Sequence, residues 1–156
     1  MQLSFIVKGR AKAKQSVKFA NIGGFTKKYT PSDVVEYANL VKLSFLQAYP
    51  LWQAYKLEGV PLRVLIEAYF AVPKSFSKKK AKEADAGAIR PQIKPDCDNI
   101  AKNICDALNG VVYPDDKQVV SLVVRKEYTT KDEFVRITID KEELDPLERK
   151  LLGLEG

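Results

Sequence analysis

Leu3, Phe5 and Val7 alternate with Gln2, Ser4 and Lys8, the period of a half-buried strand. After a loop over residues 9–16, two β-leaning runs, 17–21 and 25–29, flank Ile22-Gly23-Gly24 and predict a hairpin. Thr30 before Pro31 reads as an N-cap followed by proline at the first helical position. Val34, Ala38, Val41, Phe45 and Ala48 then recur at helical spacing as far as Pro50. Val60, Leu62, Val64, Ile66, Ala68 and Phe70 share one face of a second long strand, bounded by Pro61 and Pro73 and expected near the centre of a sheet.

The polar, weakly helical stretch 77–86 ends at Gly87 and predicts an exposed excursion over the sheet edge. A further helix is expected from about Asp98 to the cap pair Asn109-Gly110, with Ile100, Ile104 and Leu108 as its apolar stripe. Strands 119–124 and 134–139 follow, separated by a polar turn, and residues 141–156 form a tail with a short helix. This order, with no GxGxxG and no P-loop lysine motif, predicts an α+β fold. The expected form is a single two-layer domain over residues 1–156, a mixed β-sheet with an N-terminal hairpin and helices packed on one face.

Composition narrows the chemistry. At 156 residues, 46% hydrophobic and 29% charged, the chain has the mixture of a globular domain. No apolar run approaches the ~18 residues of a membrane span, and the first residues lack the pattern of a signal peptide, so the expectation is a cytoplasmic protein with no membrane association. Histidine is absent and cysteine occurs twice, which excludes Ser-His-Asp triads, Cys-His pairs and His-containing zinc sites. Cys97 and Cys105 read as buried free thiols. Carboxylate, lysine and hydroxyl chemistry remain, and a bound metal would be a hard cation held by oxygen, Mg²⁺ or Mn²⁺.

Charge is unevenly laid out. The net charge is +6, yet the first 32 residues hold seven basic side chains and no acid: Lys8, Arg10, Lys12, Lys14, Lys18, Lys27 and Lys28. Lys74, Lys78, Lys79, Lys80 and Lys82 form a second basic cluster. Residues 94–118 invert the pattern, with three lysines and five aspartates. An acidic centre in a basic chain suits a polyanionic partner that reaches the acids only when cations neutralise them. Arg10, Lys12, Lys14, Lys18, Lys27 and Lys28, with Lys74, Lys78, Lys79 and Lys80, are the candidate nucleic-acid contacts.

Within the acidic centre, Asp96 and Asp98 lie two apart, which in an extended segment directs both carboxylates to one side. Lys102 and Asp106 continue the Asp98 face at one-turn intervals, opposite Ile104. Asp115 and Asp116 come just before a β-run that can return them toward the first pair. Each residue also has a structural reading: Asp98 as an N-cap, Asp106 as an exposed partner of Lys102, and Asp115-Asp116 as a turn. Their joint placement favours a metal site, with Asp106 as its most readily structural member.

KPDxDN at residues 94–99, a lysine four after the second Asp, DALNG at 106–110 and DDxQV at 115–119 together resemble the RusA-type Holliday junction resolvases. The stretch 9–19 and Tyr29-Thr30-Pro31 add looser similarity. The resemblance implies that Asp96, Asp98 and Asp116 are the essential Mg²⁺-binding carboxylates, with Mn²⁺ as a substitute, Asp115 as a supporting acid and Lys102 as the catalytic lysine. It implies a homodimer that nicks two opposing strands of branched DNA, a four-way junction, symmetrically and without a nucleotide cofactor. Cys97, Pro114 and the long tail depart from the pattern. Two other readings are a non-catalytic DNA-binding module with a structural acidic loop and a metal-dependent phosphatase of small nucleotides.

Overall fold

Strand β1 (Gln2–Lys8) buries Leu3, Phe5 and Val7 and exposes the residues between them, the division its alternation predicts. The computed structural model describes residues 1–13, 18–29 and 32–154, without the side chains of 18–22, 25–29 and 32. The predicted hairpin is present as β2 (Lys18–Ile22) and β3 (Phe25–Tyr29), an antiparallel pair forming its own two-stranded sheet. Gly23 and Gly24 turn it with φ of 58° and 84°, a left-handed pair that favours glycine at both positions.

Helix α1 (Ser32–Ala48) sends Val34, Tyr37, Val41 and Phe45 into the core. The cap expected at Thr30 and Pro31 lies outside the described residues. After α1, a 3₁₀ turn (Ala54–Leu57) leads to β4 (Leu62–Ala71). The four-stranded sheet runs β1, β6 (Phe134–Lys141), β4, β5 (Val119–Thr129), so β4 is an inner strand as expected. It pairs antiparallel with β6 and parallel with β5, which makes the sheet mixed.

The registers align one apolar face across three strands: Val64 with Ile139 and Leu3, Ile66 with Ile137 and Phe5, and Ala68 with Val135 and Val7. All nine are buried and share a core with Val41 and Phe45 of α1 and with Ile100, Ile104 and Leu108 of α3 (Cys97–Leu108). Phe45 packs edge-on against Phe5 at 5.3 Å. The Tyr49 hydroxyl accepts from Ser4 N–H at 2.9 Å and donates to Ser4 C=O at 3.1 Å, occupying part of β1's outer edge.

Two elements depart from the sequence pattern. β5 continues to Thr129 because Arg125, Lys126 and Glu127, polar enough to suggest a turn, pair with Glu67, Ala68 and Tyr69 of β4. The stretch read as an exposed excursion does form a helix, α2 (Lys78–Asp85), capped by Ser77, but Ala84 is fully buried and Asp85 accepts from both the N–H and the hydroxyl of Thr130. It is thereby tied to the turn between β5 and β6. A last helix, α4 (Pro146–Leu151), occupies the tail.

Candidate active site

The acidic residues sit on the connection between the parallel strands β4 and β5, residues 72–118. Helix α3 begins at Cys97, one residue earlier than expected, so Asp96 is its N-cap and Asp98 stands in its first turn. The two carboxylates therefore flank a helix start rather than one side of an extended segment. The N-terminal end of a helix carries partial positive charge, and acidic side chains are commonly placed there. Cys97 Sγ donates to Val124 C=O at 3.9 Å, fixing this end of α3 beside the middle of β5.

The expected polar face is present. Asp98, Lys102 and Asp106 are exposed while Ile100, Ile104 and Leu108 are fully buried. Among the described residues, the carboxylates of Asp96, Asp98 and Asp116 accept no hydrogen bond and join no ion pair, and Lys102 forms no ion pair with Asp98.

The Asn109-Gly110 turn is held by Gly110 N–H to Tyr113 C=O at 2.8 Å, and the loop that follows by Trp52 Nε1–H to Val112 C=O at 2.9 Å. That loop delivers Asp115 and Asp116 to a second 3₁₀ turn (Asp116–Gln118). Asp115 caps it, accepting from Lys117 N–H at 3.0 Å, while its own N–H donates to Gln118 Oε1 at 3.1 Å. Gln118 Nε2 then donates to the carbonyls of Leu57 and Val60. Asp115 thus fixes the turn, and among the described residues the Asp116 carboxylate has no hydrogen-bond or ion-pair partner.

Asp116 lies close enough to Cys105 and Tyr113 for its charge to act on both. Burial above all, with a smaller push from the Asp116 and Asp106 charges, takes the Cys105 thiol up to about 11, so it stays protonated at neutral pH. Burial likewise raises the Tyr113 hydroxyl, which donates to Cys105 C=O at 3.3 Å. Both cysteines are free thiols, as expected, although Cys97 is exposed and not buried.

This geometry places Asp116 toward the end of α3 at Cys105, whereas Asp98 stands seven residues earlier, about 10 Å along the helix axis. Among the described residues, no group of three or more Asp, Glu or Cys side chains is close enough to hold a metal ion. Among the described residues, Asp96, Asp98, Asp115 and Asp116 therefore do not form the close group of three or four carboxylates expected from sequence. The donor chemistry still fits a hard divalent cation, because Mg²⁺ is commonly held by one or two carboxylates with water and substrate phosphate completing its shell.

The family described as Endodeoxyribonuclease RusA matches residues 8–140. The chain belongs to the RusA endodeoxyribonuclease family. It is also similar to the uncharacterized protein YqaN of Bacillus subtilis (strain 168), 46% identical over 71 residues, a stretch that covers 44% of this chain and 50% of that protein. The chain thus spans about half the length of the curated relative it matches. No helix among the described residues is long and apolar enough to cross a membrane.

On this RusA-family chain the basic candidates divide. Lys74, Lys78, Lys79 and Lys80 are exposed, with Lys80 Nζ 4.2 Å from the centre of the Phe76 ring. Arg10 is exposed too but engaged, 3.0 Å from Glu133 and 5.3 Å from the Phe70 ring centre. Lys18 stands on β2 and Lys27 and Lys28 on β3, whereas Lys14 lies outside the described residues. Lys12 is exposed, and its carbonyl accepts from Asn103 Nδ2 at 2.8 Å. Asn103, only 2% exposed on α3, is a residue that sequence reasoning passed over. Its signal was a polar amide on a helix flank otherwise occupied by apolar side chains.

Proposed function

We propose that the protein is a Mg²⁺-dependent, structure-selective endodeoxyribonuclease, with Mn²⁺ as a substitute, that resolves four-way DNA junctions as a homodimer by nicking two opposing strands. The observation that carries this reading is that Asp96, Asp98 and Asp116 hold carboxylates with no cationic partner among the described residues, in a chain of net charge +6 belonging to an endodeoxyribonuclease family. Carboxylates surrounded by lysine in sequence but paired with none among the described residues are available to a metal ion.

Asp96, Asp98 and Asp116 are the residues that would hold the cation, and Asp115 positions Asp116 by capping its turn. When bound, the metal supplies a water of lowered pKa and neutralises charge on the phosphate. With no histidine in the chain, Lys102 serves as the point charge that stabilises the developing phosphate oxyanion; a charged ammonium cannot act as a base. The exposed lysines hold the DNA backbone through charge alone, a binding mode that ignores sequence.

The absence of a three-carboxylate group among the described residues favours one other reading, a DNA-binding module without cleavage activity. Incubating the pure protein with a labelled four-way junction or a linear duplex, with Mg²⁺ or with chelator, separates the two. The nuclease reading expects paired nicks in the junction only when Mg²⁺ is present. Binding indifferent to Mg²⁺ with no product would establish the module.

A further inference from the structure

Strand β5 lies at the edge of its sheet, and an edge strand leaves carbonyls with no neighbouring strand to bond them. Side chains from the segment that leads into Asp96 take that place. Asp85, at the end of α2, accepts from Thr130 just past β5. Arg90 Nη1 donates to Glu127 Oε1 at 3.1 Å and to the Lys126 carbonyl at 3.5 Å. The Lys126 ammonium donates in return to the Ile93 carbonyl, and Cys97 Sγ donates to the Val124 carbonyl at 3.9 Å. As the chain rises through residues 85, 90, 93 and 97, its partners fall through 130, 127, 126 and 124. Residues 85–97 therefore run counter to β5 and are tied to it by side chains.

The segment has little else to hold it. Between Ala84 and Ile100, Pro91 alone is buried, and Gln92, Ile93, Lys94, Asp96, Cys97 and Asp98 are all exposed. Asp96 caps α3 with its backbone and makes no side-chain capping bond. Where its carboxylate stands thus depends on the residues just before it.

The tie closest ahead of Asp96 is the one from Lys126. A thiol is a weak donor, whereas an ammonium is a charged one and bonds a carbonyl more strongly. Lys126 is in register with Ala68 of β4, whose side chain is fully buried, so it leaves β5 on the same face as the core and α3.

We infer that Lys126 is a positioning residue: by holding the Ile93 carbonyl it fixes the backbone that presents Asp96 and Asp98, and so sets how tightly a divalent cation is held there. It acts through the segment and touches neither metal nor phosphate. The inference rests on the reading of Asp96 and Asp98 as cation ligands given above. Its effect belongs in the metal requirement, whereas that of Lys102 belongs in the maximal rate.

Two measurements on the full chain keep the inference and that reading apart. The first is backbone order from ¹⁵N relaxation, without metal or DNA, in wild type and in Lys126→Met, which keeps the stem and removes the donor. Lys94, Asp96 and Asp98 are expected to lose order in the methionine variant, while Lys126→Arg, still able to donate, stays close to wild type. The second is the Mg²⁺ dependence of junction cleavage. Lys126→Met should need about tenfold more Mg²⁺ for half-maximal rate, with the rate at saturating Mg²⁺ within about twofold of wild type. Arg90→Met cuts the neighbouring tie without altering the Lys126 side chain and should move both readouts the same way, which covers the case of a Lys126→Met chain that does not fold. Unchanged order at residues 94–98, or a lower maximal rate with no change in Mg²⁺ requirement, would overturn the inference. A wild type that cleaves at no Mg²⁺ concentration would remove the nuclease reading and with it the metal role of Lys126, while the order measurement would still decide whether Lys126 holds this segment.

Discussion

Asn103 Nδ2 donates to the Lys12 carbonyl oxygen at 2.8 Å, so a buried amide on the helix that carries Asp98 and Lys102 holds the backbone of the first basic stretch. Substitution of Asn103 by Ala strands that carbonyl and removes the tie. The expected loss of stability is about 1–3 kcal/mol. Thermal unfolding measures it, and faster amide exchange at Ala11 to Ala13 than in wild type would localise it. Asn103→Asp, which puts a buried carboxylate against the carbonyl oxygen, should be less stable than the alanine variant at neutral pH.

Removing a single negative charge from the acid set tests the ligand assignment. Asp96→Asn, Asp98→Asn and Asp116→Asn should each abolish Mg²⁺-dependent junction cleavage while junction binding stays equal or tightens, because repulsion of phosphate falls. Asp106→Asn should be milder. Asp115→Asn keeps a side chain able to cap the turn and should retain measurable activity. Full cleavage by Asp98→Asn at saturating Mg²⁺ would exclude the set.

Lys102→Ala should lower the cleavage rate by about 10² or more with little change in junction affinity, the split expected of a group acting on transition-state charge. Lys102→Arg should recover only part of the rate, since a planar guanidinium does not present the same point charge. Parallel loss of binding and rate would make Lys102 an ordinary phosphate contact.

Salt dependence reports how many phosphates the protein neutralises. Replacing Lys12, Lys14 and Lys18 by alanine should flatten the dependence of log affinity on log salt by about 0.9 for each charge removed, with no change in sequence preference. An unchanged slope in a fluorescence binding series would place the DNA elsewhere.

Arg10 invites a pH experiment. Burial alone would raise the Glu133 carboxyl, but the Ala71 N–H and Arg10 outweigh it and hold it below the ordinary carboxylate range. A group depressed in the folded state adds stability above its unfolded pKa and loses it as pH falls through the folded value. Arg10→Ala should therefore be less stable than wild type at neutral pH, with the gap closing as pH drops below the ordinary carboxylate range. A gap independent of pH would assign Arg10's contribution to its packing on Phe70.

The parts of the fold carried by period were legible in the sequence. Alternation at Leu3, Phe5 and Val7 and along β4, and the helical stripe at Ile100, Ile104 and Leu108, report burial directly. β5 was cut short because Arg125, Lys126 and Glu127 look like a turn until a neighbouring strand pairs with them. Asp96 and Asp98 are both cap-type residues, and it is the backbone, with no side-chain capping bond, that makes Asp96 the N-cap and starts the helix one residue before Asp98. Candidate residues could be named from their spacing within one segment. How far Asp116 stands from Asp98 depends on the loop held by Trp52 and Tyr113, a tertiary matter that no local pattern encodes.

All five aspartates of the acidic centre reside between two strands that are adjacent and parallel in the sheet, so their placement needs a long-range closure that no tight turn supplies. β5 can dock on β4 only after the whole of residues 72–118 has been looped back, a closure that costs more chain entropy than the local hairpin of β2 and β3. The hairpin closes locally across Gly23 and Gly24, whereas the acidic segment takes its place through this long-range pairing and the contacts of α3. A substitution on β4 or β5 that weakens this pairing therefore loosens both ends of the acidic segment, far from the acids themselves.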